Sequence, residues 1–337
     1  MPTPRVNVEE QLRRLAAMKT AEPSDEMREL VRQALKSKLS YVVVRGAHLA
    51  SQKRLRELIP DLLAAFDRHM AEPGSDRGCE AMTSIVRALH ELDHDDAEVF
   101  LRGIRHMQPE GPVVPHESPL VPDEDILRPA DTAIPLRAAS VIALARQRRP
   151  AVLLDLMPLL VDKEYQVRAA AAQAIAATGR HEGQLLLRLK VLVGDREPEV
   201  MIECFSALLL LAGRESLDFV AGYLDSASES TSEAAALALG ASRVAGAFDA
   251  LRARWKPHLD SQSVSVLLTA IAMLRDDRAM EFLLSLIRTD SFETASAAIV
   301  AMKSGKSDPR VRSGVEAAVT QRGDVRLLEV LKREFGA

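Results

Sequence analysis

Residues 153–179, LLDLMPLLVDKEYQVRAAAAQAIAATG, and residues 186–213, LLRLKVLVGDREPEVMIECFSALLLLAG, decide the fold class. Laid over one another at an offset of 33 residues, Asp162 falls on Asp195 and Val167 on Val200. Upstream, IPLRAASVIALA (134–145) matches YQVRAAAAQAIA (165–176) at an offset of 31, which puts Arg137 over Arg168. Fainter copies follow at EAAALALGAS (233–242), SVSVLLTAIAML (263–274) and TASAAIVAM (294–302). A sustained period of this length outranks any single motif, because it signals one helical hairpin stacked on copies of itself.

Each unit reads as two amphipathic helices of roughly 11–16 residues joined by a polar turn. The pattern gives nine pairs: 24–37/38–52, 53–71/76–92, 95–107/131–147, 149–161/164–178, 181–193/197–212, 215–225/228–241, 244–257/260–275, 277–289/290–303 and 308–321/323–335. Gly179, Gly213 and Gly240 stand at or near helix ends, where positive φ is useful. Asp131, Asp162, Asp195, Ser228 and Ser263 precede or open second helices as capping residues do.

Val44-Arg45-Gly46-Ala47, Leu136-Arg137-Ala138-Ala139 and Val167-Arg168-Ala169-Ala170 each open a second helix with an apolar–Arg–small–Ala run. Asp131 and Asp162 lie six residues before Arg137 and Arg168. The pattern resembles the HEAT repeat, in which an inter-helix Asp and a second-helix Arg form a ladder between stacked units. Pro60 and Pro158, inside first helices, are similar to that family's proline-bent first helix. The resemblance is strongest over 131–213, lapses in the Arg after 213, and meets Met82 and Met201 where the Arg would stand. It implies an all-α, right-handed solenoid of about nine HEAT-like pairs, with Asp131, Arg137, Asp162 and Arg168 as its structural ladder and Arg45 assigned to the same role. The organisation expected is an N-terminal extension over 1–23, HEAT-like units over 24–107, a Pro-rich acidic loop over 108–130 within the third unit, and further units over 131–337.

Composition agrees. Hydrophobic residues form 47% of the chain and aromatics only 4%, so helix formers carry the core and sheet formers are scarce. The formal charge of −4, from 44 basic and 48 acidic residues, exerts no global pull toward nucleic acid or anionic membrane. Arg outnumbers Lys by 34 to 10, which points to a GC-rich genome. Cys79 and Cys204, far apart in helical sequence, read as free buried thiols rather than a disulfide framework or zinc site. The start lacks the apolar stretch of a signal peptide, and no apolar run reaches the ~18 residues that span a bilayer. A cytoplasmic protein with no membrane insertion is expected.

No nucleophile elbow, phosphate loop or dinucleotide fingerprint occurs, so no catalytic residue and no cofactor is assigned. Deoxyhypusine hydroxylase, a HEAT-like di-iron enzyme, uses His-Glu dipeptides at the start of second helices. Here His90-Glu91 closes a helix, His116-Glu117 sits in the Pro-rich loop and His181-Glu182 lies at a turn, while Ala169 and Ala170 occupy the positions that would ligate. His90 and His94 share a helical face but lack a third ligand, so no metal is assigned. VRAAAAQAIAATG resembles phycobilisome lyase repeats, yet that run carries scaffold and no chemistry. HEAT-like DNA glycosylases read DNA with basic faces and aromatics, whereas Trp255 stands alone and Tyr41, Tyr165 and Tyr223 are scattered.

Two features depart from a plain array. Arg28, Arg32, Lys36, Lys38, Lys53, Arg54 and Arg56 form a basic stretch in which only Glu29 is acidic, with Arg28, Arg32 and Lys36 as an exposed stripe opposite an apolar face. Residues 108–135 hold seven of the 17 prolines and six acids against Arg128. The Ser-rich run 226–232 reads as turn and capping chemistry. The function expected is a non-catalytic scaffold presenting a curved helical surface to a protein or peptide. Two alternatives stand beside it: a nucleic-acid-associated solenoid using the basic N-terminal edge, and a lyase-like accessory factor.

Overall fold

A computed structural model describes residues 8–110, 130–147, 149–256 and 260–336. Those residues form nineteen α-helices in two compact units, 1–178 and 179–337. Most of the Pro-rich loop, with its acidic residues and His116-Glu117, lies outside the described residues. At its root, Pro109–Glu110 pairs antiparallel with Ala130–Asp131, the only strand pairing among the described residues.

In the first unit, α1 (Val8–Ala17) precedes four helix pairs. They are α2 (Asp25–Leu35) with α3 (Ser40–Gln52), α4 (Ile59–Ala71) with α5 (Glu80–Glu91), α6 (Glu98–Arg105) with α7 (Ile134–Ala145), and α8 (Val152–Leu156) with α9 (Tyr165–Ala177). First and second helices differ in pattern for a physical reason. Helix α2 is one-sided: Ser24 caps it by accepting from the Met27 N–H at 3.2 Å, and Met27, Leu30, Val31, Ala34 and Leu35 form its buried face. Such a cap is worth about 1 kcal/mol. Helix α9, in contrast, buries Val167, Ala170, Ala171, Ala172, Ala174, Ile175 and Ala176, most of its circumference. A helix apolar all round needs partners on several sides. The second helices meet that need by packing in a row, α3 on α5, α5 on α7 and α7 on α9. Pro60 sits in the first turn of α4, and at Pro158 the chain passes from α8 into a 3₁₀ turn over Met157–Val161.

In the second unit, α10 (Gly183–Val193) and α11 (Pro198–Ala212) are followed by α12 (Arg214–Ala221) and α13 (Glu229–Ser242). Next come α14 (Ala247–Arg254) with α15 (Ser261–Met273), α16 (Asp277–Thr289) with α17 (Phe292–Met302), and α18 (Pro309–Arg322) with α19 (Val325–Phe335). Here too α11, α13, α15, α17 and α19 pack successively. Arginines lie over phenylalanines of neighbouring helices: Arg188 over Phe219, Arg252 over Phe282 and Arg278 over Phe248, at 4.3–4.7 Å from the ring centres.

The turn aspartates show how a polar interior is made safe. Arg137 is 1% exposed, and its Nη1 donates to Asp131 at 2.5 Å and to the His106 carbonyl at 3.1 Å. On its other side Nε lies 3.4 Å from Asp162, in the turn before α9. Burial raises the Asp131 carboxyl, but the Gln108 N–H, Arg137 and the Ala133 N–H outweigh it and hold the group below its ordinary value. Arg168 is half-buried, and its Nη1 donates to the backbone carbonyls of Asp162 and Lys163, at 2.9 and 3.0 Å. Two other turns keep the acid but carry methionine six residues on. Asp76, fully buried, accepts from the Ala81 and Met82 N–H groups, both at 2.9 Å. Asp195 meets Lys190 at 2.7 Å, both side chains largely buried.

Gln108, which sequence reading left unassigned, joins two of these turns. Its side-chain Nε2 donates to the Asp76 carbonyl at 2.9 Å, its backbone N–H to Asp131 at 3.0 Å, and its Oε1 accepts from Cys79 Sγ at 3.2 Å. Two expectations about turns are corrected. Asp260 caps α15, accepting from Gln262 and Ser263, so Ser263 lies inside the helix. Gly240 lies within α13, and Arg243 takes the left-handed position (φ 53°) at its end, whereas Gly179 and Gly213 do have positive φ. What requires glycine at 240 is proximity: a Cβ there would stand 2.3 Å from the Ala270 carbonyl oxygen of α15.

Two stability outcomes are expected. Arg137→Ala, which strands the Asp131 carboxylate in the interior, should cost about 3–5 kcal/mol in urea unfolding, and Arg168→Ala should also lower stability by removing its bonds to the Asp162 and Lys163 carbonyls. Gly240→Ala should destabilise by about 1–3 kcal/mol through overpacking, despite alanine's better helix propensity. A gain in Tm would show that α13 and α15 are not in close contact.

Candidate functional site

Arg45 departs from the arrangement around Arg137. Six residues before Arg137 stands Asp131; six before Arg45 stands Leu39. With no carboxylate in that turn to receive it, Arg45 does not enter the interior. It is exposed on α3, which corrects its assignment to an internal ladder. His48 and Gln52 follow at three and seven residues, so all three share one helical face.

Helix α1 lies against α3, and between them runs a groove of about 420 Å³. Leu12, Leu15, Ala16 and Leu49 line it with apolar surface, while Arg13, Lys19, Arg45 and His48 supply its polar rim. Arg13 is held by Glu10 at 2.5 Å. No carboxylate of a described residue lies within ion-pairing distance of Lys19 or Arg45, nor of Arg87 on the adjacent α5. The field is felt at His48. Loss of solvent against its neighbours, then Arg45 and Arg87, push the imidazole below its ordinary value; Glu91 opposes them and Lys19 adds to them. The adjoining depression, lined by Ser51, Gln52, Arg54, Glu91, Asp93 and Arg146, has charges of both signs.

The basic residues singled out from sequence do not form a comparable site. Arg28 pairs with Asp25 and with Glu57, and Arg32 with Glu29 at 2.8 Å and Asp61 at 3.4 Å. The expected stripe is therefore neutralised in its first two members by acids on or just before α4. Lys36 and Lys38 are exposed. Lys53 donates to the Ala21 carbonyl at 2.6 Å, Arg56 to the Asp93 carbonyl at 3.3 Å, and Arg54 takes a left-handed backbone (φ 52°) in the turn after α3.

His90-Glu91 ends α5, and His90 is lowered from its ordinary value by burial and then by Arg146. The His94 ring packs edge-on against Phe100. Among the described residues no group of three or more His, Cys, Asp or Glu side chains is placed to hold a metal ion. Cys79 and Cys204 are both buried, and burial pushes the Cys204 thiol up to about 12. No helix among the described residues is long and apolar enough to cross a membrane. In the second unit, α10 exposes Leu185, Leu189, Leu192 and Val193 at helical spacing.

The positive field at α3 has a direct spectroscopic consequence. Titrated by NMR, His48 should lose its proton below pH 6.5, and Arg45→Gln should shift that midpoint upward by removing a like charge. An unchanged midpoint in the variant would place Arg45 away from His48.

No family model matches the chain, and no curated protein matches it. A solved structure of an engineered protein aligns with 98% of this chain and 92% of its own length, at 15% identity and a TM-score of 0.35.

Proposed function

We propose that the chain is a non-catalytic binding scaffold of HEAT type, a right-handed solenoid whose second helices present their outer face to a protein or peptide. The observation that carries this reading is the division of arginines between two fates. Arg137, with carboxylates from two turns, is consumed by the interior. Arg45, with none, is left on the second-helix face beside Lys19 and Arg87, over an apolar groove. Exposed charge without an internal partner contributes little to stability, and its natural use is recognition. The packing of second helices in a row supports the same reading, since it sets side chains of successive pairs side by side. Nucleic acid is the second reading, because the same cations would meet phosphates.

Photo-crosslinking in the native cell tests the scaffold reading. With a photoreactive residue replacing Gln52 or Gln173 on second helices, or Gln33 on first helix α2, adducts should form from the second-helix positions. Adducts from Gln33 alone would put the binding face elsewhere.

A further inference from the structure

The groove between α1 and α3 says more about its occupant than that it is a macromolecule. Its floor is aliphatic, with Leu12 and Ala16 lying over the buried Leu15 and Leu49, and among the described residues no Phe, Tyr or Trp lines it; the one ring there is the His48 imidazole on the cationic rim. Single-stranded nucleic acid gains much of its affinity from stacking on aromatic rings, and a duplex presents phosphates and sugars that gain nothing from leucines. A protein segment with leucine-like side chains on one face and carboxylates on its edge satisfies both parts. Its apolar face covers the floor, at roughly 25 cal/mol for each Å² withdrawn from water. Its carboxylates meet Lys19 and Arg45, which have no ion-pair partner among the described residues.

We propose that this groove docks an acidic, leucine-bearing segment of a partner protein, with Arg45 as the principal carboxylate contact. The proposal rests on the scaffold reading and adds the chemistry of the partner. Arg45 is suited to the task by geometry, since a guanidinium receives a carboxylate through two parallel N–H donors, whereas a lysine offers a single point charge. Lys19, beyond the end of α1, stands on the other element of the groove, so a segment lying between α1 and α3 is bracketed by cations from both. Arg87 on α5 extends the positive field to one side, and Glu91 on the same helix limits it there.

The test uses the full chain and defined probes. A fluorescein-labelled peptide with Leu and Glu at i, i+3 and i+4 spacing is compared with a Glu-only peptide, a peptide with Lys in place of Glu, and a 20-nucleotide oligo-dT. The Leu/Glu peptide should bind most tightly. Arg45→Glu should weaken it about tenfold or more, the effect of reversing one interfacial charge, and Lys36→Glu on α2 should leave it within about twofold. Because Arg45 is exposed, an unchanged Tm should accompany the loss. Binding should also raise the His48 midpoint, which a site elsewhere would not do. Tighter binding of oligo-dT, equal binding of the Glu-only peptide, or an Arg45→Glu variant that binds as well as the parent would each overturn the proposal. Absence of binding by every probe, with second-helix crosslinks still forming in the cell, would overturn the acidic-segment proposal while leaving the scaffold reading standing.

Discussion

A buried guanidinium needs acceptors and a counter-charge, and in the first unit Arg137 draws both from three segments of chain. Asp131 comes from the turn before α7, the His106 carbonyl from the end of α6, and Asp162 from the turn before α9. No one of these positions can shift without exposing a buried charge to an apolar surround. The constraint spreads through Gln108, which binds Asp131 with its backbone and the Asp76 carbonyl with its side chain. A polar seam thus runs from the turn before α5 to the turn before α9. It fixes the order of the pairs while the apolar faces supply the bulk of the burial.

Around that seam two packing devices recur. Small residues allow close approach: Gly46 stands where a Cβ would come 3.0 Å from that of Ala34, and Gly103 where it would strike Ser140. Arginines, meanwhile, satisfy the carbonyls that helix ends leave without partners. Arg68 donates to the Leu35 and Ser37 carbonyls, Arg254 to that of Leu224, and Arg322 to that of Ile287, each about one helix pair away along the chain. In Arg68 a single terminal nitrogen, Nη2, serves both carbonyls. The excess of arginine over lysine, read from sequence as a mark of genome composition, thereby has a structural use.

The helix pairs were legible because their period and turn chemistry are local. What escaped was non-local. Within 28–56 only Glu29 opposes Arg28 and Arg32, yet Arg28 and Arg32 also meet Glu57 and Asp61, each 29 residues on and just past the window. A search for opposite charges one period apart would have found both. Gln108 could not have been found in this way, since a lone glutamine beside a Pro-rich stretch carries no pattern. Gly240 was misread for a related reason. Its sequence position near a helix end suggests a turn, while the true demand comes from Ala270, thirty residues away on α15.

The turn before a second helix also decides where charge can reside, and the decision is asymmetric. The start of a helix offers free N–H groups and the positive end of its dipole. A lone acid is therefore welcome there: Asp76 stays fully buried on the N–H groups of Ala81 and Met82 although methionine replaces the arginine. Asp195 meets Lys190 of the preceding helix at 2.7 Å. An arginine has less to bind there, because the helix start itself offers donors, and its acceptors must come from the turn, as the Asp162 and Lys163 carbonyls do for Arg168. Where Leu39 stands at the aspartate position, Arg45 is exposed to water. Losing the acid from a turn thus has a different consequence from losing the base. Loss of the base leaves an acid that the helix-start N–H groups can still hold, at a cost in stability, while loss of the acid leaves the base to find carbonyls or water. On the proposed reading, a single substitution in a turn is enough to convert a structural arginine into one available for recognition, without altering the helices that carry it.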